Sequence, residues 1–236
     1  NTTAEVAGTV SPVNDASIIG GADSGRVTED ASNPTLTETG TLSVTDVDGA
    51  DEAKFVVGNG VASAGALGSL SITEDGAWTY NVDNSKVQYL GEGETKVESF
   101  IVQSVDGTTT TVTITINGTE DAPVIAGTHT GTVKEDTTLS TSGTLTASDA
   151  DSADNTQTYS VLAGGSSDLG SFSIDASSGT WTYDLNNAAV QGMGGGDSVT
   201  RSFTVRATGA DGETVDQVVT ITINGTEDAP VIAGTH

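Results

Sequence analysis

Apolar and polar residues alternate with a period of two along most of this chain. Val219, Ile221 and Ile223 are separated by Thr220 and Thr222, and Trp181, Tyr183 and Leu185 by Thr182 and Asp184. Phe203, Val205 and Ala207 are separated by Thr204 and Arg206. That pattern puts one apolar face and one polar face on each segment, as a half-buried antiparallel strand requires. In the C-terminal half it predicts seven strands, at about 123–133, 143–148, 157–163, 170–175, 179–185, 199–207 and 215–223. Clusters of Gly, Asp, Asn and Ser punctuate them. No amphipathic helix is read, although 186–193 has room for one turn. Trp78 and Trp181 fall on the apolar face of their strands, so core packing is expected of both rather than sugar stacking.

The pattern occurs twice. The string VTITINGTEDAPVIAGTH runs from Val112 to His129 and again, unchanged, from Val219 to His236, a spacing of 107 residues. Self-similarity of this kind marks a tandem array. Aligning the copies matches Trp78 with Trp181 and Asp106-Gly107 with Asp211-Gly212. Offsets between 103 and 107 place small insertions in loops. The expected organisation is the tail of a preceding unit at 1–13, modules at 14–119 and 120–226, and the start of a further repeat at 227–236. Seven short strands in about 100 residues imply an immunoglobulin-like sandwich. The fold class is therefore all-β, two tandem immunoglobulin-like seven-stranded β-sandwiches. The chain stops partway into a repeat and is expected to be a piece of a longer protein.

Composition narrows the function. Acidic residues number 33 against 7 basic, a formal charge of −26. Nucleic acid and anionic membranes are repelled by such a surface, and a monomer whose partners are neighbouring repeats is expected. Cysteine is absent, so disulfides, thiolate metal sites and cysteine nucleophiles are excluded. The two histidines, His129 and His236, occupy one repeat position and are expected as exposed strand residues. They offer no partners for a zinc site or a Ser-His-Asp triad. The chain is not expected to be an enzyme.

The acids recur as motifs. A junction pair precedes Ala-Pro at Glu120-Asp121 and Glu227-Asp228, reduced to Asn14-Asp15 at the start. An Asp-x-Asp-x-x-Asp loop holds Asp46, Asp48 and Asp51, and then Asp149, Asp151 and Asp154. An Asp-Gly turn supplies Asp106 and Asp211. Sandwich topology brings these three motifs to the end of each module where its first strand begins. A fourth, Glu29-Asp30 and Glu135-Asp136, follows the first strand at the opposite end, facing the next module's linker. Carboxylates gathered this way repel one another unless a cation sits among them. Calcium takes six to eight oxygens at ~2.3–2.6 Å, whereas magnesium prefers a compact octahedron that keeps its waters. Calcium between the modules, held by these residues, is the expectation. For any single Asp the alternative is a turn residue making Asx hydrogen bonds.

The strings NGTEDAPVI, Val27-Thr28-Glu29-Asp30, TLTASDADSAD and Gly-x-Trp-Thr-Tyr resemble the VCBS repeats of bacterial repeats-in-toxin adhesins, and cover residues 14–236. That resemblance implies cadherin-like extender modules of a large type I-secreted protein at the bacterial cell surface. It also places Asp121, Asp149, Asp151 and Glu135 at calcium-ligand positions. Asn14 in place of an acid and Ser17 in place of proline depart from the pattern and imply a weaker first junction. The function so implied is structural: calcium stiffens an extended array that supports adhesion and biofilm formation, with a host or biofilm surface met through other domains. The alternative is a carbohydrate- or protein-binding module using the glycine-rich loop Asn186–Asp197. Asn117-Gly118-Thr119 and Asn224-Gly225-Thr226 match a glycosylation sequon but are read as strand-exit turns.

Overall fold

A computed structural model describes residues 13–30, 33–151, 156–163 and 165–230, and for Ser166 the backbone alone. The chain divides into two compact units, residues 1–119 and 120–236. Each is a β-sandwich with almost no helix.

Unit 1 holds β1 (Ile18–Gly21), β2 (Ser24–Thr28), β3 (Thr35–Thr45), β4 (Gly58–Asn59) and β5 (Val61–Ala62). β6 (Ser69–Ile72), β7 (Ala77–Asp83), β8 (Thr95–Gln103) and β9 (Thr109–Asn117) complete it. One sheet has the order β1-β3-β7-β6-β4 and the other β2-β9-β8-β5. Unit 2 repeats the plan with β10 (Val124–Gly127), β11 (Thr130–Lys134), β12 (Ser140–Ser148), β13 (Thr158–Ala163) and β14 (Ser166–Ser167). It continues through β15 (Gly170–Ile174), β16 (Thr180–Leu185), the one-turn helix α1 (Asn187–Val190), β17 (Ser198–Thr208) and β18 (Thr214–Asn224). Its sheets run β10-β12-β16-β15-β14 and β11-β18-β17-β13.

The alternation works as read. Trp181, Tyr183, Val205, Ile221 and Ile223 are buried from β16, β17 and β18, and Trp78, Tyr80, Phe100 and Ile114 fill unit 1 in the same way. Each large apolar side chain so buried contributes roughly 1.5–3 kcal/mol. In unit 2, Phe172 stacks on Phe203 with ring centroids 4.6 Å apart. In unit 1 a carboxylate joins the core: Glu98 is 1 % exposed. It accepts the Tyr80 hydroxyl (2.8 Å) and the backbone N–H groups of Leu67 (2.6 Å) and Gly68 (3.1 Å). Burial, aided by that carboxylate, pushes the Tyr80 phenol well above its usual range.

One expectation is corrected. The single first strand read at 123–133 is two strands that belong to different sheets: β10 pairs antiparallel with β12, and β11 pairs parallel with β18. Gly127, at φ 113°, makes the switch, a backbone state that glycine tolerates best. The indole N–H of Trp181 bonds the Thr128 carbonyl stranded at the crossover, at 2.7 Å, and Trp78 does the same for Ala22. Gly143 and Gly40 make room: a Cβ on either would lie 2.6 and 2.3 Å from the ring it faces. With the two-residue β14, the seven expected strands of unit 2 become nine among the described residues. His129 is exposed but lies in this crossover, not in a strand, and His236 lies outside the described residues.

Candidate metal centre

Each unit carries acids at both ends of its sandwich. The leading end is where β1 or β10 begins, and the trailing end is where β9 or β18 finishes.

At the leading end of unit 1, β3 stops at Thr45 and its loop turns back over the start of β1. Asp48 accepts the Asp15 N–H at 2.6 Å, and Asp46 accepts the Asp48 N–H at 2.8 Å. Ser17 donates its N–H to Asp106 Oδ2 and its hydroxyl to Asp46 Oδ2, both at 2.7 Å. The Ser104 hydroxyl and the N–H and hydroxyl of Thr108 also bond Asp106. Those donors, led by Ser104 and the Ser17 N–H, hold the Asp106 carboxyl far below the usual carboxylate range. Asp46, Asp48 and Glu52 bring one oxygen each within 4.8 Å of one another. Desolvation first, then Asp46, Asp48, Asp106 and Asp51, raises the pKa of Glu52. Asp51 is exposed and is not among these three converging acids, whereas its neighbour Glu52 is.

Unit 2 uses the same plan with deeper burial. Asp121 donates its N–H to Asp151 Oδ2 at 2.9 Å, and Asp151 donates its own to Asp149 Oδ1 at 3.1 Å. Asp149 is 8 % exposed and Asp151 0 %. Asp151 Oδ1 is buried with no hydrogen-bond partner among the described residues. Glu120, Asp211 and Glu213 form a second converging group, each offering an oxygen within 4.8 Å of the others. The Glu213 N–H bonds Asp211 Oδ1 at 3.0 Å, which folds this turn inward. Asp154 lies outside the described residues.

The trailing ends are built by parallel pairing. β2 lies beside β9 and β11 beside β18, so Glu29 and Glu135 arrive where the last strand exits. Glu29 accepts the Thr119 N–H (2.8 Å) and hydroxyl (3.1 Å), and its other oxygen accepts Gln88 Nε2. Glu135 accepts the Thr226 N–H (2.6 Å) and hydroxyl (3.2 Å). It is 0 % exposed, and its Oε2 has no partner among the described residues. Asp30 and Asp136 are exposed and take positive φ, 69° and 61°. The side chains of Asn187 and Gln191 hold the Asp136 carboxyl below its usual range. Asp228 sits beside it, its pKa raised by desolvation and then by Asp136, Glu135 and Glu227.

Oxygen donors alone, with buried carboxylate oxygens that have no donor among the described residues, fit a hard divalent cation. A buried carboxylate without a counter-charge is otherwise expensive. Sequence reading missed Glu52 and Glu213, the hydrogen bonds that Ser17 donates to Asp46 and Asp106, and the two threonines that orient Glu29 and Glu135. The threonines had a signal, since Thr119 and Thr226 stand inside the repeated string.

Comparison with known families decides the class. The model of the bacterial cadherin-like domain matches residues 14–118 and again 120–225. The chain belongs to this family. Cadherin-like domains are extracellular, adhesion-type modules that pack in tandem, and they are typically structural rather than enzymatic. Among solved structures, mouse cadherin-23 EC22–24 is similar at 17 % identity and a TM-score of 0.43, over 86 % of this chain and 62 % of that one. Protocadherin gamma C5 EC1–3 is similar at 18 % identity and a TM-score of 0.44, over 88 % of this chain and 68 % of that one. A comparison with curated proteins returned no match. No helix among the described residues is long and apolar enough to cross a membrane.

Proposed function

We propose that this chain is a two-module stretch of the extender region of a large secreted bacterial surface adhesin, stiffened by calcium at its module junctions. The carrying observation is a pair of fully buried carboxylates, each with an oxygen that has no partner among the described residues: Asp151 Oδ1 at the leading end of unit 2 and Glu135 Oε2 at its trailing end. Both stand among further acids, and neither forms an ion pair with a basic side chain among the described residues. Calcium would be held by Glu120, Asp121, Asp149, Asp151 and Asp211 with Glu29 and Asp30 of the module before. In the same way Glu135 and Asp136 would act with Glu227 and Asp228, the start of the following repeat. Asp15, Asp46, Asp48, Asp51, Asp106 and Asp154 complete the set. The bound ion would supply counter-charge and a fixed hinge; the protein supplies oxygens already turned inward by Thr119, Thr226 and the loop N–H groups.

The repeats-in-toxin context, type I export and a role in biofilm adhesion follow from the resemblance of NGTEDAPVI and its companions to VCBS repeats. Extracellular calcium modules bind at ~10⁻⁴–10⁻³ M, so such an array would stiffen outside the cell and stay loose within it. Small-angle X-ray scattering of this chain tests the reading. Calcium is expected to lengthen and narrow the distance distribution, while chelator or magnesium does not. Indistinguishable profiles would leave the acids as solvated turn residues. A second reading, ligand binding, has one observation in its favour: an open groove of about 410 Å³ beside α1, lined by Leu169, Val190, Met193 and Val199. Glycan-array binding lost on Met193→Asp would support it.

A further inference from the structure

The two leading ends carry matched acids, yet those acids are bonded differently, through Ser104 and Thr108 beside Asp106 and through one position that reaches two acids at once. In unit 1 that position is Ser17, buried at 6 % exposure. It donates its N–H to Asp106 Oδ2 and its hydroxyl to Asp46 Oδ2, each at 2.7 Å. In unit 2 the matching residue is Pro123, which has neither an N–H nor a hydroxyl. Asp211, the counterpart of Asp106, accepts the Glu213 N–H. Asp149, the counterpart of Asp46, accepts the Asp151 N–H. Neither receives what Ser17 supplies in unit 1, and Asp151 Oδ1 next to them is buried with no partner among the described residues.

We infer that Ser17 is a built-in substitute for the cation, lowering the calcium affinity of the leading end of unit 1, while Pro123 keeps that of unit 2 open. The inference rests on the calcium reading above. An oxygen committed to a protein donor must give up that bond, or share it, before it coordinates a metal. The backbone N–H cannot turn away, because the neighbouring residues Ile18 and Ile19 are fixed in β1 against Thr45 and Val44. Asp46, Asp48 and Glu52 still converge on the solvent side, so the first end keeps a weaker and more exposed position for the ion. Junctions of unequal strength would give the array joints that stiffen at different calcium levels, set by a serine or a proline two residues after the linker acid.

The test compares substitutions at one end at a time, so that the neighbours of each end stay the same. The whole chain is titrated with calcium chloride by calorimetry, and the Gly107 and Gly212 amide resonances report the two ends separately. Ser17→Ala is expected to tighten the first end roughly tenfold, the change that one hydrogen bond to a charged group corresponds to. Pro123→Ser is expected to weaken the second end by a similar factor, and gives an independent result should Ser17→Ala fail to fold. If wild type binds calcium at both ends and each substitution shifts its own end by less than about twofold, the inference falls and the calcium reading stands. If neither amide responds to calcium in wild type or in either variant, the calcium reading falls and takes the inference with it.

Discussion

Asp151→Asn separates the cost of a buried carboxylate from its use. Asp151 is fully buried, accepts the Asp121 N–H through Oδ2, and its Oδ1 has no partner among the described residues. Asparagine keeps an acceptor for the Asp121 N–H and removes the charge. Relief of an uncompensated buried charge is worth ~1–2 kcal/mol here, allowing for the neighbours that still solvate it. For a unit of this size ~1 kcal/mol moves the midpoint by ~4 °C, so the variant melts ~4–8 °C above wild type in chelator. On the calcium reading, calcium is expected to reverse the order. At a dissociation constant of ~10⁻⁴ M, ~10 mM calcium stabilises wild type by ~2.7 kcal/mol, or ~10 °C, through mass action. The variant loses a ligand oxygen with full charge and is expected to gain less than half of that. Differential scanning calorimetry in chelator, calcium and magnesium reads both effects. A variant that keeps the full calcium shift, or one that melts below wild type in chelator, would refute the reasoning.

Three further outcomes are expected. Gly143→Ala and Gly40→Ala each force a methyl group into an indole, and should cost ~2–4 kcal/mol in urea unfolding followed by Trp181 or Trp78 emission. Glu98→Ala leaves the Tyr80 hydroxyl and the N–H groups of Leu67 and Gly68 without their acceptor; unit 1 should lose ~3 kcal/mol while the transition of unit 2 stays in place. Asp175 accepts the Ser177 hydroxyl and the Ser178 and Ser177 N–H groups, in that order of effect, which pull its pKa down to about 2. Its folded value lies below the unfolded ~3.9, so this turn stabilises above pH ~4 and that contribution is lost as pH falls towards ~2; carboxyl NMR titration gives the midpoint, and Asp175→Asn should remove that part of the acid sensitivity.

How far the sequence is legible depends on which force sets each feature. Trp181, Tyr183, Phe203 and Ile221 were placeable in the core because burial follows a period of two, and the pattern is local. The break between β10 and β11 was not, since the apolar run Val124–Ala126 leads into Thr130–Val133 with only a short gap, and the glycine at 127 and the indole bond to Thr128 reveal the change of sheet. In the site, topology brought the linker acids to the Asp-x-Asp loop, Asp15 to Asp48 and Asp121 to Asp151, as the motif spacing implied. It could not decide between Asp51 and Glu52, because loop dihedrals choose which of two adjacent acids turns inward. Glu213 was hidden for a similar reason: its role comes from the Asp211 turn rather than from any spacing of acids.

The identical 18-residue string points to what constrains these modules. A sandwich core alone would tolerate many sets of apolar residues of similar volume, and the strands outside the string do differ between the units. In the first copy the string opens in β9, supplies Thr119 to the buried Glu29, passes through Glu120 and Asp121, and closes at the crossover capped by Trp181. In the second copy the same course through β18 supplies Thr226 to the buried Glu135, followed by Glu227 and Asp228. Identity thus runs through the exit strand, the threonine that turns a glutamate inward, and the linker acids. Packing explains the first of these. The threonine and the acids do little for a core, and they are what a cation-dependent joint would need to be kept unchanged from one module to the next.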